Sequence, residues 1–541
     1  MSNFIQLARI HKHLIIVCGI GGLIGAVFFL ALFGWKVLEP TNVQWLLNQG
    51  DLNQHYIGWL FFRNSDWSFP LGAIHSLAFP QGISLTFTDS IPAMGIIFKI
   101  FAPILPGQFQ YFGMWGIFSY ILVGLFGGLI VYKLTRNTWY SIVSSLFFLA
   151  SPILLNRMFQ HTALASQWVI LLGIFALISI NAKTSIKKFL IVWSIILSLS
   201  AVIHPYFIPM NAALLLISAT LSHTSVRSSL MKVIIPLFVA VILFWIIGGF
   251  MVTSVADGSL GDFPLNLNSL VNPMGWSYFL RDLPSTLGSY EGLAYLGAGV
   301  LLLVPSAVIG VFFRHKELRG YSRWQYVIAG AILFGLFLAS LSPSITFNKE
   351  QLIIPLPHMI ESAWSIFRAT GRLFWPIYYL IILGVLYAFF LLIKTKAIRR
   401  GTLLLVCMAG LQLFDISGSL NGTMKSSTIR ETSSTPTKQH DKTFVGLLKT
   451  HQHIQYIGSV DTADFLRIAP IAASLKITMS DGYFARSPHS VVQTSDEARQ
   501  AILEGNPDKS TVYITTESDA IIAAKSHNLS VVNYDHVTFI N

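Results

Sequence analysis

Runs of about twenty apolar residues, nearly free of charge, recur along the first 418 residues of this 541-residue chain. That is the length an α-helix needs to cross about 30 Å of hydrocarbon, and it limits the fold more than any other feature. The apolar residues come in blocks and not in the alternation of half-buried strands. Composition agrees: 53% of residues are hydrophobic and 11% charged, against roughly a quarter charged in a soluble domain. The runs predict spans near 14–35, 113–134, 139–155, 162–180, 187–203, 205–221, 232–253, 293–313, 325–342, 372–393 and 401–418. Segment 91–105 (IPAMGIIFKIFAPIL) is shorter and holds Lys99, so it reads as interfacial or re-entrant. The expected fold class is an all-α polytopic membrane protein of about eleven transmembrane helices, with a small soluble domain behind them.

Lysine and arginine orient the chain. With the N-terminus in the cytoplasm, Lys133, Arg136, Lys187, Lys188, Arg314, Arg323, Lys394, Arg399 and Arg400 all fall in short inner loops or at inner span ends. That is the positive-inside pattern of a bacterial inner membrane. Counting 91–105 as a span would break it, and an odd number of spans puts the C-terminus on the periplasmic side. Much of the net charge of +12 is thus a topology signal facing anionic lipid, and it implies no nucleic acid partner. Cys18 and Cys407 both lie in apolar runs, which leaves no disulfide framework and no cysteine metal site.

The three long connections, 36–112, 254–292 and 343–371, are all outer by this topology and carry most of the acidic residues of the membrane part. Long loops in a compact protein usually carry function. The domain reading is 1–418 membrane part, 419–439 Ser/Thr-rich linker and 440–541 small periplasmic α/β domain. In that domain HIQYIGSV, STVYITT and LSVVNYDHVTFI read as strands. TSDEARQAILEG reads as a helix capped by Thr494 or Ser495, and ESDAIIAAKSHN as another. Gly21, Gly25, Gly124 and Gly128 read as small-residue packing positions in spans.

The candidate chemistry gathers at outer helix mouths. If 51–63 is helical, Leu52, Tyr56 and Leu60 make an apolar stripe able to lie on the membrane, with Asp51, His55 and Trp59 on a neighbouring face. Asp51 then has two readings, a general base beside an imidazole or an ordinary N-cap. Asp89, before Ile91-Pro92, divides in the same way between base and turn residue. Arg368 and Arg372 stand four apart in FRATGRLFWP, hence on one helical face, where two guanidiniums suit a phosphate. The opposing reading is interfacial anchoring beside Trp364 and Trp375. His55, which could tune Asp51 or bind phosphate, and Arg157, His161, His204 and His358 lie at outer mouths or in outer loops as substrate-binding candidates. Tyr290-Glu291 is a weaker one.

A first helix, a long outer loop opening with an acidic residue, many further spans and a soluble outer tail together resemble the GT-C glycosyltransferases. The motifs GDLNQHYIGWLFFR, FTDSIP, RMFQHTALASQW and FRATGRLFWP look similar to a bacterial membrane family assigned to that class. The resemblance implies transfer of a sugar from a polyprenyl-phosphate donor to an envelope glycan, lipid or protein acceptor at the outer face. Asp51 would be the first-loop acid, and Arg368 and Arg372 ligands of the carrier phosphate. No second acidic residue follows Asp51, as one does in many of these enzymes. No cofactor is fixed by the motif, and a divalent cation is the one it admits. Two other classes stay open: a transporter or flippase for a lipid-linked precursor, and a non-catalytic envelope assembly protein.

Overall fold

The computed structural model describes residues 2–541 apart from 48–49, 159, 223–224, 253–259, 315–316, 318–319, 395–396, 421–441, 459–460 and 535–536. Most of the expected 419–439 linker therefore lies outside the described residues. Helices run from α1 (Ser2–Phe33) through α2 (Gln44–Leu47), α3 (Gly50–Asn64), α4 (Pro92–Ile100), α5 (Phe112–Thr135), α6 (Thr138–Leu149), α7 (Pro152–Leu155) and α8 (Trp168–Ser179). They continue with α9 (Ile186–Ile203), α10 (Phe207–Leu221), α11 (Val226–Ile246), α12 (Ala298–Arg314), α13 (Arg323–Leu341), α14 (His358–Trp364), α15 (Trp375–Ile393) and α16 (Ile398–Asp415).

Among the described residues, six helical stretches are long and apolar enough to cross a membrane: Lys12–Phe33, Phe112–Thr135, Ile186–Ile203, Val226–Ile246, Arg323–Leu341 and Thr370–Ile393. The sequence led to an expectation of about eleven. Helices stand at the other positions too, but α6, α8, α10 and α12 are shorter apolar helices. A twelve-residue helix is about 18 Å long. The run at 139–155 breaks before Pro152, whose ring bars the helical conformation from the residue preceding it. The run at 162–180 starts only at Trp168, because a turn occupies 160–167. α16 carries Arg399, Arg400 and Asp415, which lowers its apolar character.

Burial separates centre from periphery. In α5 and in the Thr370–Ile393 stretch 61% of the apolar window is buried, whereas in α11 and α13 the share is 17%. α11 turns Leu230, Ile234, Phe238, Val241 and Trp245 outward. Rows of exposed apolar side chains that long mark a surface made for something other than water. α1 seats on α5 through its glycines, as expected. A Cβ on Gly25 would lie 2.1 Å from the Tyr120 carbonyl oxygen, and one on Gly124 2.2 Å from that of Gly21. Segment 91–105 forms the nine-residue α4 and a 3-10 turn. Ile97, Ile100, Phe101 and Ile104 face outward, while Lys99 turns inward over the rings of Phe62 (4.0 Å) and Trp67 (4.7 Å).

Strands β1 (Ala73–Ile74) and β2 (Ile83–Ser84) pair within the first long connection, and β3 (Ser344–Phe347) and β4 (Glu350–Ile353) form a second hairpin. The C-terminal domain holds β5 (His453–Ile457), β6 (Thr478–Met479), β7 (Thr511–Thr515), β8 (Val531–Tyr534) and β9 (Val537–Ile540) in the order β6-β5-β7-β9-β8. β5 is parallel to β6 and β7, and β9 antiparallel to β7 and β8. The expected single strand LSVVNYDHVTFI is thus a hairpin, with Tyr534 opposite Val537. The helix expected to start at Thr494 or Ser495 starts at Ser490, so neither residue caps it. Thr494 is buried, and the Ser495 hydroxyl accepts from the Gly458 amide. A helix over Thr462–Leu475 completes the domain.

This domain is docked on the first long connection. Met479 donates to the Ser76 carbonyl and accepts from the Phe79 amide, both at 2.9 Å, so the loop continues the sheet past β6. The Ala485 amide bonds the Phe87 carbonyl, Asn64 Nδ2 bonds that of Ala473, and the Phe79 ring stacks on His453 at 4.6 Å. The free edge of β6 is thereby covered. α3 lies beneath, packed on helix Thr462–Leu475, and this overturns the expected membrane-surface stripe. Leu52, Tyr56 and Leu60 are buried at 0, 2 and 9% exposure.

Candidate functional site

Asp89 ends the 3-10 turn Leu85–Thr88 in the left-handed conformation (φ 53°, ψ 23°), and the β-branched Ile91 follows at φ 54°. Aspartate tolerates that region because its short side chain bonds locally; isoleucine does not, and such strain gathers at functional sites. The loop is over-determined. The Ser90 hydroxyl donates to the His55 carbonyl at 2.7 Å, Tyr111 donates to the Ser90 carbonyl, and the Thr88 and Ser90 hydroxyls bond each other. Gly58 allows α3 this close, since a Cβ there would stand 2.2 Å from Thr88 Oγ1. Gly58→Ala is expected to destabilise the purified protein by about 1–3 kcal/mol through overpacking, read as a lower thermal midpoint. Gly107→Ala, with open space around the new methyl, should melt like the wild type.

Three more elements deliver imidazoles. His204 closes α9, and its Nδ1 accepts from the Tyr206 amide at 3.2 Å. Its proton therefore sits on Nε2, which faces Asp89 Oδ1 at 3.3 Å. His161 stands in the 160–167 turn, pinned by Gln167 Nε2 to the Ile153 carbonyl (2.9 Å), Tyr379 to Gln167 Oε1 (2.6 Å) and Trp115 to Ser166 Oγ (2.8 Å). Its Nδ1 lies 3.5 Å from Asp89 Oδ2, ion-pair distance without a hydrogen bond, and its Nε2 lies 3.7 Å from Asp51 Oδ2. His55, on α3, is wholly buried with Nδ1 2.9 Å from Thr162 Oγ1. Burial pushes the His55 imidazole down to about 4, which keeps it neutral at pH 7. Burial alone would raise the Asp89 carboxyl, but the facing imidazoles of His161 and His204 hold it well below the usual range.

Asp51 occupies the first turn of α3, one residue inside its start, so its carboxylate is free to look outward. At 35% side-chain exposure it is the open member of the group, where Asp89 has 8%. Tyr483 of the C-terminal domain donates to Asp51 Oδ1 at 2.7 Å. Burial, then the adjoining carboxylate, raises the Tyr483 phenol and keeps it a donor. Tyr483 also lines a small open cleft with Tyr456, Thr462, Phe465, Asp481 and Gly482.

The arginines divide. Arg157 Nη2 and Arg372 Nε both bond Glu291 Oε2, at 2.6 and 2.8 Å, in a buried triad. Arg372 also lies 5.2 Å from the Tyr206 ring. Arg368 precedes the 3-10 turn Thr370–Phe374 that holds Arg372, so the two do not share a helical face as their spacing suggested. The turn breaks the 3.6-residue period. Arg368 is exposed, rests over the Phe263 ring at 5.4 Å, and its charge bears on Tyr483 and Tyr290. His358 is exposed on α14, bonded to its own Ser362, and is not part of the cluster.

Of the residues singled out in the sequence, Asp51, His55, Asp89, His161 and His204 come together, and Arg157 and Arg372 meet in the Glu291 triad. Tyr483 was missed; it lies 432 positions from Asp51, and no local pattern in SDGYFARSP points to it. Thr162, beside His161, was missed as well.

Fold and site together define a polytopic helical protein of membrane character whose C-terminal α/β domain caps a buried histidine–aspartate cluster. Residues 22–417 match the family model described as a domain of unknown function (DUF6311), and residues 444–540 match the DUF6311 C-terminal domain. The chain belongs to the DUF6311 family. No curated protein matches it.

Proposed function

We propose that the protein is a membrane glycosyltransferase that moves a sugar from a polyprenyl-phosphate donor to a cell-envelope acceptor, at the periplasmic face of a bacterial inner membrane. The observation that carries this reading is Asp51. It is a half-buried carboxylate at the seam between the helices and the C-terminal cleft, the more open of the two aspartates, backed through His161 by the buried Asp89. Sugar transfer from a lipid phosphate needs a base for the acceptor hydroxyl and a cation for the departing phosphate. Asp51 supplies the first. Its negative charge also suits an oxocarbenium-like transition state. The cleft beside Tyr483 suits the acceptor. Arg368, exposed and near Tyr483, is the phosphate cation, while Arg372 is held by Glu291 and shapes the site from behind.

The reading takes the four shorter apolar helices and α16 as spans as well, eleven in all. Arg372 just precedes α15, and Lys394, paired with Glu317, directly follows it. The site and a basic loop thus stand at opposite ends of one helix, about 28 Å apart along its axis, which supports an outer site and inner basic loops.

Arg368→Ala is expected to weaken binding of a radiolabelled polyprenyl-phosphate sugar to the detergent-purified protein roughly 10- to 100-fold, the worth of one charge-assisted hydrogen bond. Unchanged binding would remove Arg368 from the donor site and leave it a surface cation.

A further inference from the structure

We propose that His55, Asp89 and His161 form a site for a divalent transition-metal ion of the zinc class. One ligand atom from each lies within 4.8 Å of the others. They arrive on three separate elements: α3, the strained loop before α4, and the turn before α8. In a tetrahedral zinc site with bonds near 2.1 Å, ligand atoms stand about 3.4 Å apart, a closure that modest side-chain rotations achieve.

Two orphaned atoms point to an absent ligand. His55 Nε2 and His161 Nδ1 are buried and have no hydrogen-bond partner, although buried polar atoms are nearly always satisfied. Both belong to this one cluster. An imidazolium at His161, shared between Asp51 and Asp89, would explain the second atom but not the first. His55 is wholly buried, and its other nitrogen is already taken by Thr162. A metal ion satisfies both.

The surrounding shell has the form such a site requires. Metal-bound imidazoles commonly use their second nitrogen on a carboxylate or another oxygen, which fixes the ring. Thr162 Oγ1 does so for His55 at 2.9 Å, and Asp51 faces Nε2 of His161 at 3.7 Å. His204 Nε2 holds Asp89 Oδ1, leaving Oδ2 toward His161. Two imidazole nitrogens and one carboxylate oxygen favour zinc-class ions over magnesium or calcium, which prefer all-oxygen shells. Three protein ligands also leave a position open, the pattern of a metal that meets substrate or water.

The test uses full-length protein in detergent, stripped with a chelator and titrated with Co²⁺ and then Zn²⁺, with no sugar donor present. Its outcome is therefore independent of the transfer reading. One equivalent per chain is expected, with a visible Co²⁺ absorption band that Zn²⁺ displaces. His161→Ala should weaken binding at least about 100-fold. Thr162→Val keeps all three ligands but releases the His55 ring, and should weaken it about 10- to 100-fold. His451→Ala, in the C-terminal domain, should bind as the wild type does. Absence of stoichiometric Co²⁺ or Zn²⁺ on the wild type, or binding of Mg²⁺ or Ca²⁺ alone, would overturn the site. So would wild-type affinity in His161→Ala. The wild-type titration decides the matter even if that variant does not fold.

Discussion

Glu291→Gln is expected to cost about 3–5 kcal/mol of stability, because it leaves two buried guanidiniums without their shared counter-ion. Arg157 and Arg372 both end on Glu291 Oε2, and the three side chains are 3, 10 and 7% exposed in that order. Glutamine keeps the shape and can still accept a hydrogen bond, so the loss isolates the charge. Burial would raise the Glu291 carboxyl, but Arg372 and Arg157 hold it far below its ordinary value of 4.5. A depressed pKa contributes stability that is fully present above the unfolded value and lost as pH falls through the folded one. Wild-type protein in detergent should therefore lose thermal stability on acidification below about pH 4.5, and Glu291→Gln should lack that component. Equal melting of the two proteins at pH 7 would show that the triad is not a structural bolt. Arg157 shortly precedes the turn that carries His161, and Arg372 lies beside Tyr206 and hence His204. A failure here should loosen both imidazoles.

What the sequence made legible follows from the range of the forces involved. Apolar runs and short basic loops are local signals, so the helical body and the change of character after residue 418 could be read directly. The helix-mouth histidines were visible because His161 and His204 each adjoin an apolar run, at positions a turn must occupy. Asp89 was visible only as a residue with two readings, and it took the folded loop, strained at Ile91, to show that its carboxylate faces His161 and His204. Glu291 looked weak because its partners lie 134 and 81 positions away. The pairing of Arg368 with Arg372 failed for the opposite reason: i, i+4 spacing is a rule for α-helices, and the chain between them turns as a 3-10 helix. Leu52, Tyr56 and Leu60 were read against a membrane because nothing local announces that a domain hundreds of residues later will cover α3. Long-range docking, through Met479 on the Ser76–Phe79 loop and Tyr483 on Asp51, is what periodicity cannot carry.

Asp51→Asn is expected to keep the fold and lower sugar transfer by 10²–10⁴, the usual cost of a missing general base. Asparagine retains an oxygen to accept from Tyr483, and Asp51 lies within the first turn of α3, where loss of one charge costs at most about 1 kcal/mol. A cap or surface-charge role predicts a nearly normal enzyme from the same variant. Asp66→Asn, an exposed carboxylate elsewhere in the first connection, is the control and should act within about twofold of the wild type. The deciding measurement is release of polyprenyl phosphate from a radiolabelled lipid-linked sugar by purified wild type, Asp51→Asn and Asp66→Asn in parallel. Turnover by the wild type and the Asp66 variant, with that of the Asp51 variant at least about 100-fold lower, is the predicted result. Equal turnover by all three, or none by the wild type with any polyprenyl-phosphate sugar and envelope acceptor supplied, would contradict a glycosyltransferase centred on Asp51.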